Sequence, residues 1–372
     1  MKDPSFFELD TPTLIVDLDR MERNLKSMQE KACLAGVRLR PHTKTHRTPA
    51  IAKMQLAMGA SGITVAKLGE AEIMASEGLD DILIANEIVG PIKLERLRTL
   101  ARRVGRLAVG VDHPFHVQAL SGVMAAEPRP LDIMIDVETG DPRTGIHPGK
   151  PTVELARLVD KAPGLRLRGI YTHDGQSYDA ETLDEVRAIN RQSQGLMLET
   201  ADLMRSSGLA AEEISIGSTP SLLLDGIEPG ITEIRPGTYV FLDADQAQLL
   251  GTYAFCAQTV LATVISRPTP ERVVLDAGTK ALTYYVQDKG VTRSTGHGRL
   301  KAHPDIFLDK MSDEHSSFDI PEGSGLEFPI GRKLEVIPNH ACPTTNLYDV
   351  IYGVRSGSVE TVWPVLCRGK SQ

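Results

Sequence analysis

A lysine flanked by two histidines is the first group in this chain whose type and placement could do chemistry. The segment RPHTKTH (40–46) sets Lys44 at the end of an extended run, between His42 and His46. A lysine on the surface is only a solvated cation, whereas one held in a pocket can lose its charge and serve as a Schiff-base former or proton-transfer base. In IGSTPS (216–221), Gly217, Ser218, Thr219 and Ser221 bring backbone N–H groups and hydroxyls together. Those are the makings of a phosphate cradle, although the same residues also make an ordinary turn. A third cluster, YTHDGQSYD (171–179), alternates Tyr171 and His173 on a strand end, with Gln176 and Tyr178 following; DPRTGIH (141–147) places Arg143 just after an acidic strand. Finally, PNHACPTTNLYD (338–349) spaces His340 and Cys342 by two. On an extended segment that spacing turns both side chains to one face, and imidazole with thiolate suits a borderline-soft divalent ion such as Zn²⁺. Two ligands are too few for a closed structural site, and a buried cysteine beside a polar histidine is the plainer alternative.

Groups so far apart in sequence need a scaffold that gathers them. Eight short apolar, β-branched runs recur at 36–42, 62–67, 81–86, 106–112, 131–137, 165–173, 213–218 and 232–241, and helical patterns such as 67–78 and 179–208 lie between them. Apolar residues at i, i+3, i+4 and i+7 mark those helices. Eight strand–helix repeats predict an α/β fold with a (β/α)8 barrel of the TIM type, in which working groups sit at the C-terminal ends of the strands. An open doubly wound sheet is the competing architecture. After about residue 250 the texture becomes strand-like, with Pro- and Gly-rich turns, which predicts a mostly-β C-terminal domain. The expected division is a barrel over 20–250, with 1–19 and 251–372 forming the β domain.

The balance of 41 Lys+Arg against 49 Asp+Glu, a net charge of −8 over 372 residues, disfavours a nucleic-acid partner. No apolar run is long enough to span a bilayer, and the start lacks the basic and apolar regions of a signal peptide; a cytoplasmic location with no membrane partner is expected. The four cysteines, Cys33, Cys256, Cys342 and Cys367, form no CxxC pair. This argues against a disulfide framework, and all but Cys342 are expected to be packing residues.

In order along the chain, these segments resemble the family of D-threonine aldolases, eukaryote-type D-serine dehydratases and D-threo-3-hydroxyaspartate dehydratases, which have the alanine-racemase-like fold of pyridoxal 5'-phosphate (PLP) enzymes. The resemblance runs from DTPTLIVDLDRMERNL (10–25) through RPHTKTH, AKLGEAEIMASEG (66–78), DILIANEIVGPIKL (81–94), THDGQSY, IGSTPS, EIRPGTYVFLDADQAQL (233–249) and LDAGTKAL (275–282) to IPNHACPTTNLYD. It implies that Lys44 carries PLP as a Schiff base and that Gly217, Ser218 and Thr219 hold its phosphate, with Tyr239 closing on it. Tyr171 is similar to the residue that faces the pyridine nitrogen, and Arg143 to the group near the phenolic oxygen. His173 and Gln176 are candidates for contacting the substrate. His340 and Cys342 would ligate a divalent metal, for which a thiolate favours Zn²⁺ over Mn²⁺ or Mg²⁺.

The activity so implied is a PLP- and metal-dependent lyase on small D-3-hydroxy amino acids. It would dehydrate D-serine, D-threonine or D-threo-3-hydroxyaspartate to an oxo acid and ammonia. Retro-aldol cleavage to glycine and an aldehyde is the alternative, and racemisation ranks third for want of a second opposed base. His-x-Cys in place of His-x-Asp, the run QAQLLG (246–251) and IGSTPS resemble the dehydratase branch more closely. A non-enzymatic PLP-binding barrel would lack the long segment after residue 250. The resemblance also implies a homodimer. One departure stands out: DEHS (313–316) replaces an expected DEHG, so that His315 is kept while Ser316 puts the local loop shape in question.

Overall fold

The computed structural model describes residues 5–372. Two compact units divide the chain: one comprises the residues up to Lys26, Thr45–Thr48 and Thr238–Arg368, the other Ser27–Lys44, Pro49–Gly237 and Gly369–Gln372. The second boundary thus falls at 237/238, ahead of the expected 250, because the segment after RPG leaves the barrel strands and joins the β unit. Four residues directly after Lys44 also belong to the β unit.

The first strand, β1 (Thr13–Asp17), lies in the β unit, and the next eight build the barrel unit. These are β2 (Arg38–Leu39), β3 (Ile63–Val65), β4 (Asp81–Ile84), β5 (Arg106–Val111), β6 (Leu131–Asp136), β7 (Leu165–Tyr171), β8 (Glu213–Ile216) and β9 (Glu233–Ile234). All are parallel, in the order β2-β9-β8-β7-β6-β5-β4-β3. A single parallel bridge between His42 and Thr64 closes the ring from β2 back to β3. Runs such as Ile63–Val65 and Glu213–Ile216 are buried throughout, as expected of strands covered on both faces. Alternation with helices, among them Leu68–Ser76, Pro91–Arg103 and Leu183–Ser206, completes the TIM-type pattern. Helix Leu183–Ser206 starts on a reciprocal cap in which Thr182 and Glu185 satisfy each other's backbone N–H.

All eight strands are shorter than their apolar runs, and two of them far shorter. β2 and β9 keep only two ladder residues each, Arg38 opposite Glu233 and Leu39 opposite Ile234. Side chains strengthen this seam. Arg40, which is 2% exposed, donates from Nε to Glu233 Oε2 at 2.8 Å and from Nη1 to Asp81 Oδ1 at 2.6 Å. The other oxygen of Glu233 accepts from Ser215 Oγ at 2.8 Å, and Ser215 in turn accepts from Arg235 Nη1 at 2.5 Å. Burial alone would favour neutral Glu233, but the Arg40 guanidinium outweighs it and holds the carboxyl below its usual range. Arg106, Asp132, Arg166, Arg168 and Glu213 extend this ion network.

In the β unit the later strands are β10 (Gln258–Ser266), β11 (Arg272–Leu275), β12 (Arg299–Leu300), β13 (His303–Phe307), β14 (Lys310–Met311), β15 (Ser316–Asp319), β16 (Lys333–Ile337), β17 (Val350–Arg355) and β18 (Ser358–Pro364). They form a ten-stranded sheet with the path β13-β12-β16-β10-β1-β17-β18, and β11, β15 and β14 branch from β10. β1 sits centrally, antiparallel to β10 and parallel to β17, so the two ends of the sequence share this sheet. Ser316 of DEHS is an ordinary strand residue opposite Leu275 and Met311 and is not among the residues with positive φ; the site does not need glycine. Cys256 and Cys367 are buried, whereas Cys33 is exposed on its helix and is not a packing residue.

Removing one partner of a buried ion pair leaves the other charge stranded, at a cost of about 3–5 kcal/mol. Glu233→Leu is therefore expected to lower the urea midpoint sharply. The double variant Arg40→Met/Glu233→Leu should recover much of the loss, which equilibrium denaturation will read directly.

Candidate active site

A cavity of about 370 Å³ in the barrel unit is lined by His42, Lys44, Ala66, Ala85, Asn86, Glu87, Asp136, Arg143, Thr144, Tyr171, His173, Gly217 and Arg235. Lys44 and His42 follow β2, Asp136 ends β6, Tyr171 ends β7 and Gly217 follows β8. Parallel strands of matched register deliver these ends to one place, the usual active-site end of such a barrel. Five of the residues singled out in the sequence thus meet here: Lys44, Arg143, Tyr171, His173 and Gly217.

Tyr171 is buried against Leu83 and Met134. Its hydroxyl lies where a side chain on Gly110 would collide, 2.3 Å from an added Cβ. The Arg235 guanidinium stands 5.0 Å from its ring centroid. Burial first, then the nearby Asp136 and Glu87 carboxyls, push the phenol far above its ordinary range, so it stays protonated. Arg235 donates to Thr172 O at 2.7 Å as well as to Ser215, and burial lowers its otherwise very high pKa.

Burial and the charges of Lys44 and Arg235 hold His42 well below the usual histidine range. Burial also lowers His173 to about 4, although Asp141, 3.6 Å from its Nδ1, pulls the other way. Its ring stacks on Tyr178 at 6.2 Å. Asp136, whose Oδ2 accepts from Thr144 Oγ1 at 2.8 Å, is raised to about 6, chiefly by burial. Glu87 is raised for the same reason, and its Oε1 has no hydrogen-bond partner.

The remaining expected residues lie elsewhere. The Ser218 hydroxyl is turned inward, 3.1 Å from Ser177 Oγ and 3.2 Å from Ser221 Oγ. Ser221 donates to the buried carboxyl of Asp174, which burial raises to about 6. Neither Ser218 nor Thr219 lines the cavity, so from this loop Gly217 alone faces it. An added Cβ at Gly217 would come within 3.1 Å of Arg235, so the loop can lie close only because that residue is glycine. The amide nitrogen of Gln176 donates to Thr139 O at 2.9 Å, while its Oε1 is buried without a hydrogen-bond partner. Tyr239 is buried in the β unit.

His340 and Cys342 also lie in the β unit, although not on an extended segment. His340 caps a short helix, Ala341–Thr345, and Cys342 is in its first turn. The two side chains are nevertheless close enough for the Cys342 thiol to act electrostatically on the imidazole. Cys342 Sγ lies 3.2 Å from Thr45 Oγ1 and 3.7 Å from Thr238 Oγ1. Among the described residues no three His, Cys, Asp or Glu side chains converge on a ready-made metal site. An imidazole and a thiol alone fit an open site whose other positions go to solvent or substrate.

Arg235, Glu87 and Asp136 were missed in the sequence. Arg235 stands in the quoted RPGTYVF, where Tyr239 drew the attention; Asp136 ends an apolar run without any motif.

The chain matches the family described as alanine racemase, N-terminal domain, over residues 16–245, and a putative serine dehydratase domain over 257–354. It belongs to the alanine-racemase-like family of D-threonine aldolases and D-serine dehydratases. Members of this family are PLP-dependent lyases. A D-threonine aldolase from Arthrobacter sp is 35% identical, over 98% of this chain and 94% of that one. The crystal structure of D-threonine aldolase from Filomicrobium marinum superimposes with a TM-score of 0.91 at 36% identity, covering 99% of this chain and 98% of that one. D-threo-3-hydroxyaspartate dehydratase from Delftia sp. HT23 gives 0.89 at 31%, covering 97% and 98%. Histidine-to-alanine and cysteine-to-alanine variants of that dehydratase, at positions two apart, are also known, the latter in a metal-free form.

PLP fits this cavity on structural grounds. Lys44 supplies the amine, and Arg143 and Arg235 supply cationic charge. The histidines are neutral, and burial raises Asp136 and Glu87 above the ordinary carboxylate range, so the cationic groups are the ones that suit an anionic, phosphate-bearing ring.

The raised Asp136 carries a pH signature. Because its folded pKa of about 6 exceeds the ordinary 3.8, its contribution is fully present below pH 4 and is lost as pH climbs to 6, by about 3 kcal/mol at about 1.4 per unit. Cofactor-free Asp136→Asn lacks this loss. Its stability relative to the native protein should rise between pH 4 and 6 and level off above, as urea titrations at several pH values will read.

Proposed function

We propose that this enzyme dehydrates small D-configured 3-hydroxy amino acids, such as D-serine, D-threonine or D-threo-3-hydroxyaspartate, to an oxo acid and ammonia. The observation that carries this reading is the His340–Cys342 pair, set two residues apart at the start of one short helix. It matches in type and spacing the two positions altered in the Delftia dehydratase, one of them in a metal-free form.

When bound, PLP would supply an electron sink for the charge left on the substrate's α-carbon. A divalent ion on His340 and Cys342 would supply a Lewis acid for the β-oxygen, and a thiolate ligand favours Zn²⁺. The chain's own groups do the rest. Lys44 Nζ anchors the cofactor and is the amine that moves the Cα proton. Arg143 and Arg235 attract the anionic groups. His42 and His173, neutral at working pH, offer hydrogen bonds rather than charge. The protonated phenol of Tyr171 adds no negative charge beside the ring.

Retro-aldol cleavage is the second reading. Its support is the 35% and 36% identity to two D-threonine aldolases. The two reactions differ in which bond breaks at Cβ: loss of the hydroxyl gives dehydration, whereas loss of its proton breaks Cα–Cβ.

Purified enzyme soaked in PLP is expected to show the visible band of the lysine-bound cofactor, and Lys44→Ala should abolish it; a colourless native protein would sink the cofactor assignment. D-Serine should yield pyruvate and ammonia in equal amounts, and D-threonine 2-oxobutanoate and ammonia. Glycine plus acetaldehyde without ammonia would instead establish the aldolase. Chelation should remove turnover and Zn²⁺ restore it, and undiminished activity after chelation would take the metal out of the reaction.

A further inference from the structure

Asp243 has no part in the roles described so far, yet it is fully buried and both its oxygens are committed. Oδ1 accepts from Gln246 N at 3.0 Å and so caps the helix Ala244–Leu250. Oδ2 accepts from Ala341 N at 2.9 Å and lies 3.1 Å from Nδ1 of His340. The main chain locks the same alignment, since Ala244 N donates to Pro338 O at 3.0 Å and Asp245 N to Asn339 O at 3.3 Å. Segment 243–245 is therefore laid along 338–341 by backbone and side chain together. The Tyr285 ring, 4.7 Å from that of His340, packs on the imidazole as well.

A buried carboxylate can only accept hydrogen bonds, so the imidazole beside it must present N–H at Nδ1. The lone pair of a neutral His340 is then at Nε2. No bond from the His340 side chain to the backbone of the helix Ala341–Thr345 fixes that choice.

We propose that Asp243 is a positioning residue for the metal. By accepting from Nδ1 it selects the tautomer of His340, fixes the ring plane and leaves Nε2 as the donor to the ion; carboxylate–histidine–metal relays of this kind also raise ligand basicity. The inference rests on the reading of His340 and Cys342 as ligands.

Asp243→Asn is the informative change. The amide oxygen keeps the cap on Gln246, while its NH₂ presents a donor where Nδ1 and the Ala341 N–H need an acceptor. This favours the opposite tautomer. Zn²⁺ affinity, measured by competition with a chromophoric chelator, should fall 10–100-fold. The visible cofactor band should stay close to native, and the chelated protein should still unfold cooperatively, at a somewhat lower temperature for the lost Ala341 N–H bond. Native Zn²⁺ affinity in a folded Asp243→Asn protein would overturn the proposal. Should that variant fail to fold, the zinc-loaded native enzyme decides. An anomalous peak on Nε2 of His340, with Nδ1 still on Asp243, supports the assignment, and a peak on Nδ1 defeats it. His340→Ala and Cys342→Ala belong in the same titration: undiminished affinity in both would defeat the ligand reading and this proposal with it. A loss in these two with none in Asp243→Asn would defeat only the role of Asp243.

Discussion

The barrel depends on a buried ion pair at one of its short seams. β2 and β9 share only two ladder residues, and backbone bonds from Arg40 N to Ile234 O and from His42 N to Pro236 O carry the pairing a little further across a gap in the regular ladder. Arg40 and Glu233 bridge that gap from inside, and Asp81, Ser215 and Arg235 continue the bridge to neighbouring strands. A buried guanidinium–carboxylate contact is costly to desolvate, but here the guanidinium is held from two sides, by Glu233 through Nε and by Asp81 through Nη1, which leaves it little freedom of geometry. Lys44 lies four residues beyond Arg40, so the placement of the reactive amine rests on this seam.

The same chain of hydrogen bonds ends in the cavity. Glu233 orients Ser215, Ser215 orients Arg235, and Arg235 lies over Tyr171. Charges at the start of the strands and chemistry at their ends are thus parts of one polar column through an otherwise apolar barrel. Burial then sorts the titratable groups around the cavity. The histidines lose their charge, the carboxyls are shifted upward, Asp136 to about 6, and Arg143 and Arg235 bring guanidinium charge to the same cavity.

Much of this was legible because barrel strands are continuous apolar runs, and eight such runs separated by helical patterns admit few architectures. The clusters at Lys44, Arg143, Tyr171, His173 and Gly217 could be read for the same reason, since each follows such a run. What escaped was set by tertiary context. Nothing local in LDIMID distinguishes Asp136, a cavity carboxyl, from Asp132, a member of the ion network. The Ser218 hydroxyl, one of the groups offered for a phosphate, has its hydrogen bonds with Ser177 and Ser221, partners only the fold could name. The HAC segment resembled a strand because β16 precedes it; a short helix brings its side chains together instead.

The insertion of Thr45–Thr48 into the β unit has a consequence for how such a protein can change. Arg47 holds this insert there, donating to Asn346 Oδ1 at 2.9 Å and to Cys367 O at 3.1 Å, while its own carbonyl accepts from Cys367 N at 3.1 Å. At the other end of the chain, Gln372 O accepts from Gly69 N at 2.8 Å in the barrel unit. The polypeptide passes between the units five times, at 26/27, 44/45, 48/49, 237/238 and 368/369. No single cut yields an intact barrel or an intact β unit. The two are not modules that gene fusion could exchange, and the residues bordering Lys44 can drift only in step with a sheet assembled from both ends of the chain.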